Sequence, residues 1–120
     1  PEVKGILGTS SFDAPGTARA IDELGLKGKV FTAGTGMPAA NAQILKDGSV
    51  STLTLWDPAN AGYAMASLAT KILNGETIED GVNLGVEGYE SMHFSSGSTK
   101  VLEGTGWLKI TKDNVDSLGF

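Results

Sequence analysis

Three short polar segments, each directly after an apolar run, carry the side chains best suited to hold a small molecule. Trp56 and Asp57 follow the apolar run 50–55 and pair an indole with a carboxylate. An indole can stack on the apolar C–H face of a sugar-like ring, while Asp and Ser groups bond its hydroxyls. Trp56 could instead plug the top of a sheet, and Asp57 could cap a helix. The candidate binding residues are Thr9, Ser10, Ser11, Phe12, Gly36, Met37, Trp56 and Asp57.

Hydrolytic chemistry is a poor match to the serines and the single histidine. The nucleophile elbow Gly-x-Ser-x-Gly is absent, because Phe12 occupies its last position after Gly8-Thr9-Ser10-Ser11. His93 lies between Met92 and Phe94 in an irregular region, a setting more typical of a half-buried structural histidine. No catalytic residue is predicted, and we expect the chain not to be an enzyme.

The glycine-rich segment Gly34-Thr35-Gly36 resembles half of a dinucleotide fingerprint. However, Pro38 stands inside that motif, and no acidic residue ends a second strand about 20 residues later. Asp57 lies near that distance, but it follows its strand as a helix cap. A tight strand-to-helix turn is the better interpretation, and no cofactor is predicted.

Composition excludes several other partners. The net charge is −5 and Arg19 is the single arginine, whereas nucleic acid needs clustered Lys and Arg. The sequence has no cysteine, and the acidic pairs Asp22-Glu23 and Glu79-Asp80 are expected to be solvated, so no metal site is predicted. No apolar run approaches the roughly 18 residues of a membrane span.

The elements that must position these residues repeat three times along the chain. Apolar runs at 3–8, 29–33 and 50–55 predict strands, and the first is continuous enough to be buried on both faces. Each is followed by a polar loop and then a helix, at 14–24, 38–46 and 59–73, with a proline in its first turn or directly before it. This rhythm predicts an α/β fold with a parallel sheet flanked by helices. Ligands of such sheets bind beyond the carboxyl ends of the strands, where the three polar segments should meet.

Local signals give these helices their expected ends and buried faces. Asp13 and Asp57 are predicted N-caps, and Gly25 is a predicted C-terminal stop. The first helix should bury Leu24 along with Ala14, Ala18 and Ile21. The third should bury apolar surface from Tyr63, Ala66, Leu68, Ala69, Ile72 and Leu73.

After Gly75 the repeating pattern of strand, loop and helix ends. Residues 82–86 suggest a short strand, and residues 87–106 suggest a hairpin. Residues 107–110 predict a strand, and Thr111 is expected to cap a last helical turn at 112–118.

The chain resembles the C-terminal portion of the type I periplasmic sugar-binding proteins, the ribose-binding class. It is most similar to the branch that holds the rhamnose-binding and autoinducer-2-binding receptors. Three stretches carry the resemblance: PEVKGILGTSSFDAPGTARAI, GKVFTAGTGMPAANAQILKDGSVSTLTLWDPANAGYAMASLATKILNGE and KITKDNVDSLGF.

The resemblance implies roles for individual positions. The sugar-contacting loop after the family's first strand falls on Thr9–Phe12 here. The acidic position that many pentose and hexose binders hold falls on Gly36, and the family's polar amide position falls on Trp56. Because of these departures, ribose and galactose are not the expected ligands. A deoxyhexose such as rhamnose, or autoinducer-2, is the candidate ligand instead.

The resemblance also implies an organisation and a setting. Residues 1–57 would be part of the C-terminal lobe, 58–87 would belong mainly to the N-terminal lobe, and 88–120 would form a crossover and C-terminal segment. Without an N-terminal half of the same protein the flavodoxin-like lobes would be incomplete. Sugar would bind in a cleft between lobes that close by hinge motion. The partner would be the membrane permease of an ABC importer, and the location periplasmic, or extracellular and lipid-anchored in a Gram-positive source.

One alternative shares this architecture. The chain could be part of the effector-sensing domain of a sugar-responsive transcription regulator. A helix-turn-helix segment upstream would favour that hypothesis, whereas a signal peptide there would exclude it. Fold similarity does not separate the two.

Overall fold

The computed structural model describes residues 2–120, which divide into two compact units. The first, here called the sheet unit, contains the chain up to Leu55 together with Leu108–Phe120. The second, the hairpin unit, contains Trp56–Trp107. The chain therefore leaves the sheet unit after Leu55 and re-enters it at Leu108. The assignment of 1–57, 58–87 and 88–120 to lobes of a larger protein stays a prediction.

Within residues 2–120, three strands alternate with three helices in the order that the sequence pattern predicts, and three further strands follow. They are β1 Gly5–Leu7, α1 Asp13–Glu23, β2 Phe31–Thr35, α2 Pro38–Lys46, β3 Thr52–Trp56, α3 Pro58–Leu73, β4 His93–Phe94, β5 Leu102–Glu103 and β6 Trp107–Ile110. A 3-10 helix at Val115–Ser117 follows.

The main sheet has the strand order β1-β2-β3-β6. The first three strands are parallel, with Leu7 opposite Ala33 and Ala33 opposite Thr52. The Thr52 hydroxyl donates to the Ile110 carbonyl at 3.0 Å, and Trp56 contacts Trp107 at the other end. β6 therefore runs antiparallel to β3. The predicted α/β fold with a parallel sheet is confirmed, with one antiparallel edge strand added.

One face of this sheet carries the core of the sheet unit. Two successive crossovers in the same direction place α1 and α2 on the same face, because such connections are right-handed. The core cluster there consists of Ala14, Ala18, Leu45, Val50, Leu53, Leu55, Ile110 and Val115. On the other face Phe31 is exposed. The prediction that the first strand is buried on both faces is wrong: all three residues of β1 are exposed, and Leu7 is 78% exposed, because the described residues leave both faces of this strand partly uncovered.

The sequence signals for the helix ends agree with the structure only in part. α2 begins at Pro38 and ends at Lys46 as predicted, and Gly25 has the positive φ of 65° that a C-terminal stop needs. Asp13 is not an N-cap, because it is the first residue of α1 and Phe12 occupies the cap position. Leu24 is exposed, since it lies beyond the last turn of α1.

The hairpin unit has a small core of its own. Ala64 of α3 packs with Leu84 and Met92, and β4 pairs with β5 in the predicted hairpin. The prediction that α3 buries a broad apolar face is wrong, because Ala64 is its buried residue and Tyr63, Ile72 and Leu73 are exposed.

Two further expectations about the chain after Gly75 are also wrong. Residues 82–86 form no strand, because the Asn83 side chain accepts from Gly85 N at 2.6 Å and Gly85 has a φ of 70°. The helical turn expected at 112–118 is only the 3-10 helix at Val115–Ser117, with Asn114 rather than Thr111 as its cap.

Candidate functional site

The three predicted binding segments follow the carboxyl ends of the three parallel strands. Residues 9–12 follow β1, residues 36–37 follow β2, and Trp56 is the last residue of β3. Because the strands are parallel, their carboxyl ends share one edge of the sheet. This is the edge where ligands of open α/β sheets bind.

The first segment is held by Asp13. Its Oδ2 atom accepts hydrogen bonds from Thr9 N and Ser10 N, each at 3.0 Å. Gly8 N donates to the carbonyl of Ala33 at 2.9 Å, which ties the start of the loop to β2. A side chain at Gly8 would collide with Cβ of Asp13, so glycine is required there. The loop backbone is thus fixed.

The side chains of this loop remain open to solvent. Ser10 and Ser11 are exposed, and Phe12 is 82% exposed. Hydroxyl groups and a phenyl ring on a tethered loop can contact a polar ring-shaped molecule without prior rearrangement.

The second segment is fixed by Asn41. This buried side chain donates from Nδ2 to the carbonyl of Met37 at 2.9 Å. A Cβ atom at Gly36 would lie 2.9 Å from Nδ2 of Asn41 and 3.3 Å from Cδ1 of Leu53. Gly36 therefore lets the turn pack against α2 and β3, and the Met37 side chain stays exposed beside it.

The third segment joins β3 to α3. Oδ1 of Asp57 accepts from Ala59 N at 2.7 Å and from Asn60 N at 3.2 Å, which confirms the predicted N-cap. Trp56 precedes this cap and is 44% exposed. The indole is therefore partly open to solvent at this edge.

The sequence interpretation missed Trp107 as a candidate. Its ring centroid lies 5.4 Å from that of Trp56, and the two planes meet at 83°. The signal that could have found it was the second tryptophan at the start of a predicted strand. Placing it beside Trp56 required the pairing of β6 with β3, which no local pattern specifies.

His93 has a different environment from the one predicted. It is exposed rather than half-buried, with Nε2 3.1 Å from the Ser91 hydroxyl and Nδ1 3.0 Å from Oδ2 of Asp80. Oδ1 of Asp80 also accepts from Phe94 N at 2.7 Å. The hydrogen bonds from His93 and Phe94 lower the pKa of Asp80. These contacts tie Asp80 to β4 and stabilise the hairpin.

A groove in the sheet unit lies away from the candidate edge. This groove of about 520 Å³ runs between β1 and α1 and is lined mainly by apolar side chains, including Val3, Ile6, Ala20, Leu24, Leu26 and Val30. Among residues 2–120, no three His, Cys, Asp or Glu side chains cluster closely enough to hold a metal ion. Within the same residues, no helix has the length and apolar character needed to cross a membrane.

Comparison with known families and proteins gives one family match. The family model described as a periplasmic binding protein domain matches residues 1–77. A search of curated proteins finds no significant match.

Solved structures resemble the chain over nearly its whole length. A sugar ABC transporter from Actinomyces odontolyticus is 28% identical, with a TM-score of 0.77, over 100% of this chain and 38% of that chain. LsrB from Clostridium saccharobutylicum, solved in complex with AI-2, is 22% identical, with a TM-score of 0.66, over 98% of this chain and 40% of that chain. GanP, a glucose-galactose binding protein from Geobacillus stearothermophilus, is 19% identical, with a TM-score of 0.69, over 95% of this chain and 33% of that chain. The chain thus spans 33–40% of the length of these structures.

Proposed function

Since this chain belongs to the periplasmic binding protein domain family, we propose that it is part of a solute-binding protein that delivers a sugar to an ABC importer. The ligand class is a sugar or sugar-like small molecule, with a deoxyhexose such as rhamnose, or autoinducer-2 (AI-2), as the leading candidates. The structurally similar proteins include one solved with AI-2 and one described as a sugar ABC transporter. The protein binds its ligand without catalysis and acts outside the cytoplasm.

The observation that carries this proposal is the half-exposed indole of Trp56 at the carboxyl edge of the sheet. Stacking on a sugar ring uses the apolar face of the indole, and the neighbouring segments add hydroxyl groups and apolar walls. The binding residues proposed are Thr9, Ser10, Ser11, Phe12, Gly36, Met37, Trp56 and Asp57. The absence of a carboxylate at Gly36 favours a ligand with fewer hydroxyl groups at that position.

Asp57 serves both the fold and the ligand in this proposal. Both hydrogen bonds from the helix amides go to Oδ1, so Oδ2 can accept from a ligand hydroxyl. Because the same residue caps α3, sugar contact at Asp57 would be rigidly coupled to the start of that helix.

We further propose that the chain functions with an N-terminal half of the same protein. One edge of β1 pairs with β2, and within residues 2–120 no strand pairs with its other edge. A right-handed crossover from a strand on that free edge brings its helix to the face that carries α1. The groove of about 520 Å³ between β1 and α1 lies on this path and offers an apolar surface against which such a helix can pack.

Calorimetric titration of the full-length protein tests the binding function. L-rhamnose, other deoxyhexoses, pentoses, galactose and AI-2 are titrated into the wild-type protein and into Trp56→Ala. We expect one compound to bind, with affinity reduced about tenfold or more in Trp56→Ala because the stacking surface is lost. Tyr63→Ala, which removes an exposed aromatic ring from α3, is the matched control and should bind normally. Binding of none of these compounds would contradict the proposed function.

A further inference from the structure

The two tryptophans of the chain lie at corresponding places in the fold. Trp56 is the last residue of β3 and the first of the hairpin unit, and Trp107 is the first residue of β6 and the last of that unit. Because β3 and β6 are antiparallel neighbours, their indoles meet at one end of the strand pair. Each connection of the chain between the two units thus carries one indole.

The two rings form a corner rather than a stack. Their planes meet at 83° with the centroids 5.4 Å apart, an edge-to-face geometry that favours a fixed mutual orientation. Two perpendicular rings present two apolar walls to a molecule that enters the angle between them.

This pair is not part of either hydrophobic core. Trp56 is 44% exposed and Trp107 is 58% exposed, although each already covers part of the other. Neither residue belongs to the core clusters of the two units. Two adjacent exposed indoles form one contiguous apolar surface, and such a surface suits contact with another molecule.

The backbone around the pair limits its motion. The cap at Asp57 fixes the chain directly after Trp56, and Trp107 N donates to the carbonyl of Thr105 at 2.8 Å, which forms a tight turn directly before β6. The backbone that carries the two indoles is therefore ordered before any ligand arrives, which lowers the entropic cost of binding.

We propose that Trp107 is a second sugar-contacting residue, which forms with Trp56 an aromatic corner that recognises the apolar C–H face of a saccharide ring. The inference rests on the proposed sugar-binding function and adds a residue outside the set that the sequence indicated. It also narrows the ligand class, because a corner selects a compact ring with one apolar face and an apolar substituent, such as the methyl group of a deoxyhexose.

Titration of the full-length protein with L-rhamnose and with AI-2 tests the corner. Five proteins are compared: wild type, Trp56→Ala, Trp107→Ala, the double variant that carries both alanines, and Trp107→Phe. We expect Trp107→Ala to lower the affinity about tenfold or more, and Trp107→Phe to retain most of it, because a phenyl ring keeps a smaller wall. The double variant should lose less than the sum of the two single losses, since both rings contact one ligand.

A second measurement does not depend on how well the alanine variant folds. The indole N–H signals are recorded by NMR on tryptophan-labelled protein, with Trp56→Phe and Trp107→Phe used to assign them. Ligand should shift both signals.

Two results would overturn the inference. The first is that Trp107→Ala binds like wild type while Trp56→Ala does not, and only the Trp56 signal shifts. Trp107 then does not contact the sugar, while the proposed sugar-binding function stands. If neither compound nor any other sugar binds the wild-type protein, the proposed function fails and the corner fails with it.

Discussion

At the scale of single residues, several polar side chains at the candidate edge bond to the backbone. Asp13 accepts from the loop amides of Thr9 and Ser10, Asn41 donates to the carbonyl of Met37, and Asp57 caps α3. These bonds set the backbone of each segment. The hydroxyl and aromatic side chains beside them are left exposed, as a preorganised binding surface requires.

Gly36→Ala tests whether the second segment is set by packing. The new methyl group would lie 2.9 Å from Nδ2 of Asn41, so we expect a loss of about 1–3 kcal/mol in the free energy of unfolding. Gly62→Ala is the control, because a Cβ there meets nothing within 4 Å and alanine favours the helix by up to about 1 kcal/mol. Urea unfolding of the full-length variants gives both values. Equal stability of the two variants would contradict the packing role.

The residue roles were only partly predictable. Asp57 was identified correctly because Asp before Pro58 matches a common helix start. Asp13 stands near Pro15 in a similar pattern, yet it is the first residue of α1 and its carboxylate turns back to the amides of Thr9 and Ser10. Both bonding patterns are local and compatible with the same residue type, so the sequence alone did not separate them.

At the scale of elements, boundaries marked by strong local signals were predictable and burial was not. Pro38 and the Asp47-Gly48 pair delimit α2 as expected, and β6 has its predicted bounds. The exposure of β1 depends on which elements pack against its two faces, and its own residues do not specify them. Residues 82–86 are apolar enough for a strand, but the Asn83 turn at Gly85 prevents one. Residues distant in sequence therefore decide whether such a segment is buried or forms a strand.

The hairpin should lose stability in acid. The pKa of Asp80 is lowered in the folded protein, chiefly by the hydrogen bond with His93 and then by that from Phe94 N. The stabilisation that Asp80 gives the folded hairpin is therefore fully present above the usual Asp pKa, near 3.8. It is lost as the pH falls through the lowered pKa. We expect the protection factor of the Phe94 amide, which compares its exchange with that of an unfolded chain at the same pH, to fall below about pH 4 in the wild type.

The same measurement on Asp80→Asn isolates this residue. That variant should show faster exchange at neutral pH and a weaker dependence on acid, because its side chain does not titrate. Asp113→Asn, a change at an exposed aspartate of the C-terminal segment, should behave like the wild type. An unchanged acid response in Asp80→Asn would show that another group controls the hairpin.

At the scale of the whole molecule, the family and the α/β class were predictable, and both are confirmed. The family is recognisable from three parts of the sequence: the loop at residues 9–12, the Leu55-Trp56-Asp57-Pro58 junction and the C-terminal stretch KITKDNVDSLGF. The position of Trp107 beside Trp56 and the groove beside β1 depend on strand order and were not visible in the sequence. The ligand depends on side-chain contacts that the family shares only in outline.

Hydrogen–deuterium exchange of the full-length protein tests the central claim most directly. Exchange is compared with and without the compound that binds in the titration, with L-rhamnose and AI-2 tried first. Protection concentrated at residues 9–12, 36–37 and 56–57, with residues 95–101 of the hairpin loop unchanged, is the result that we predict. Binding that protects the groove between β1 and α1 and leaves those three segments unprotected would contradict it.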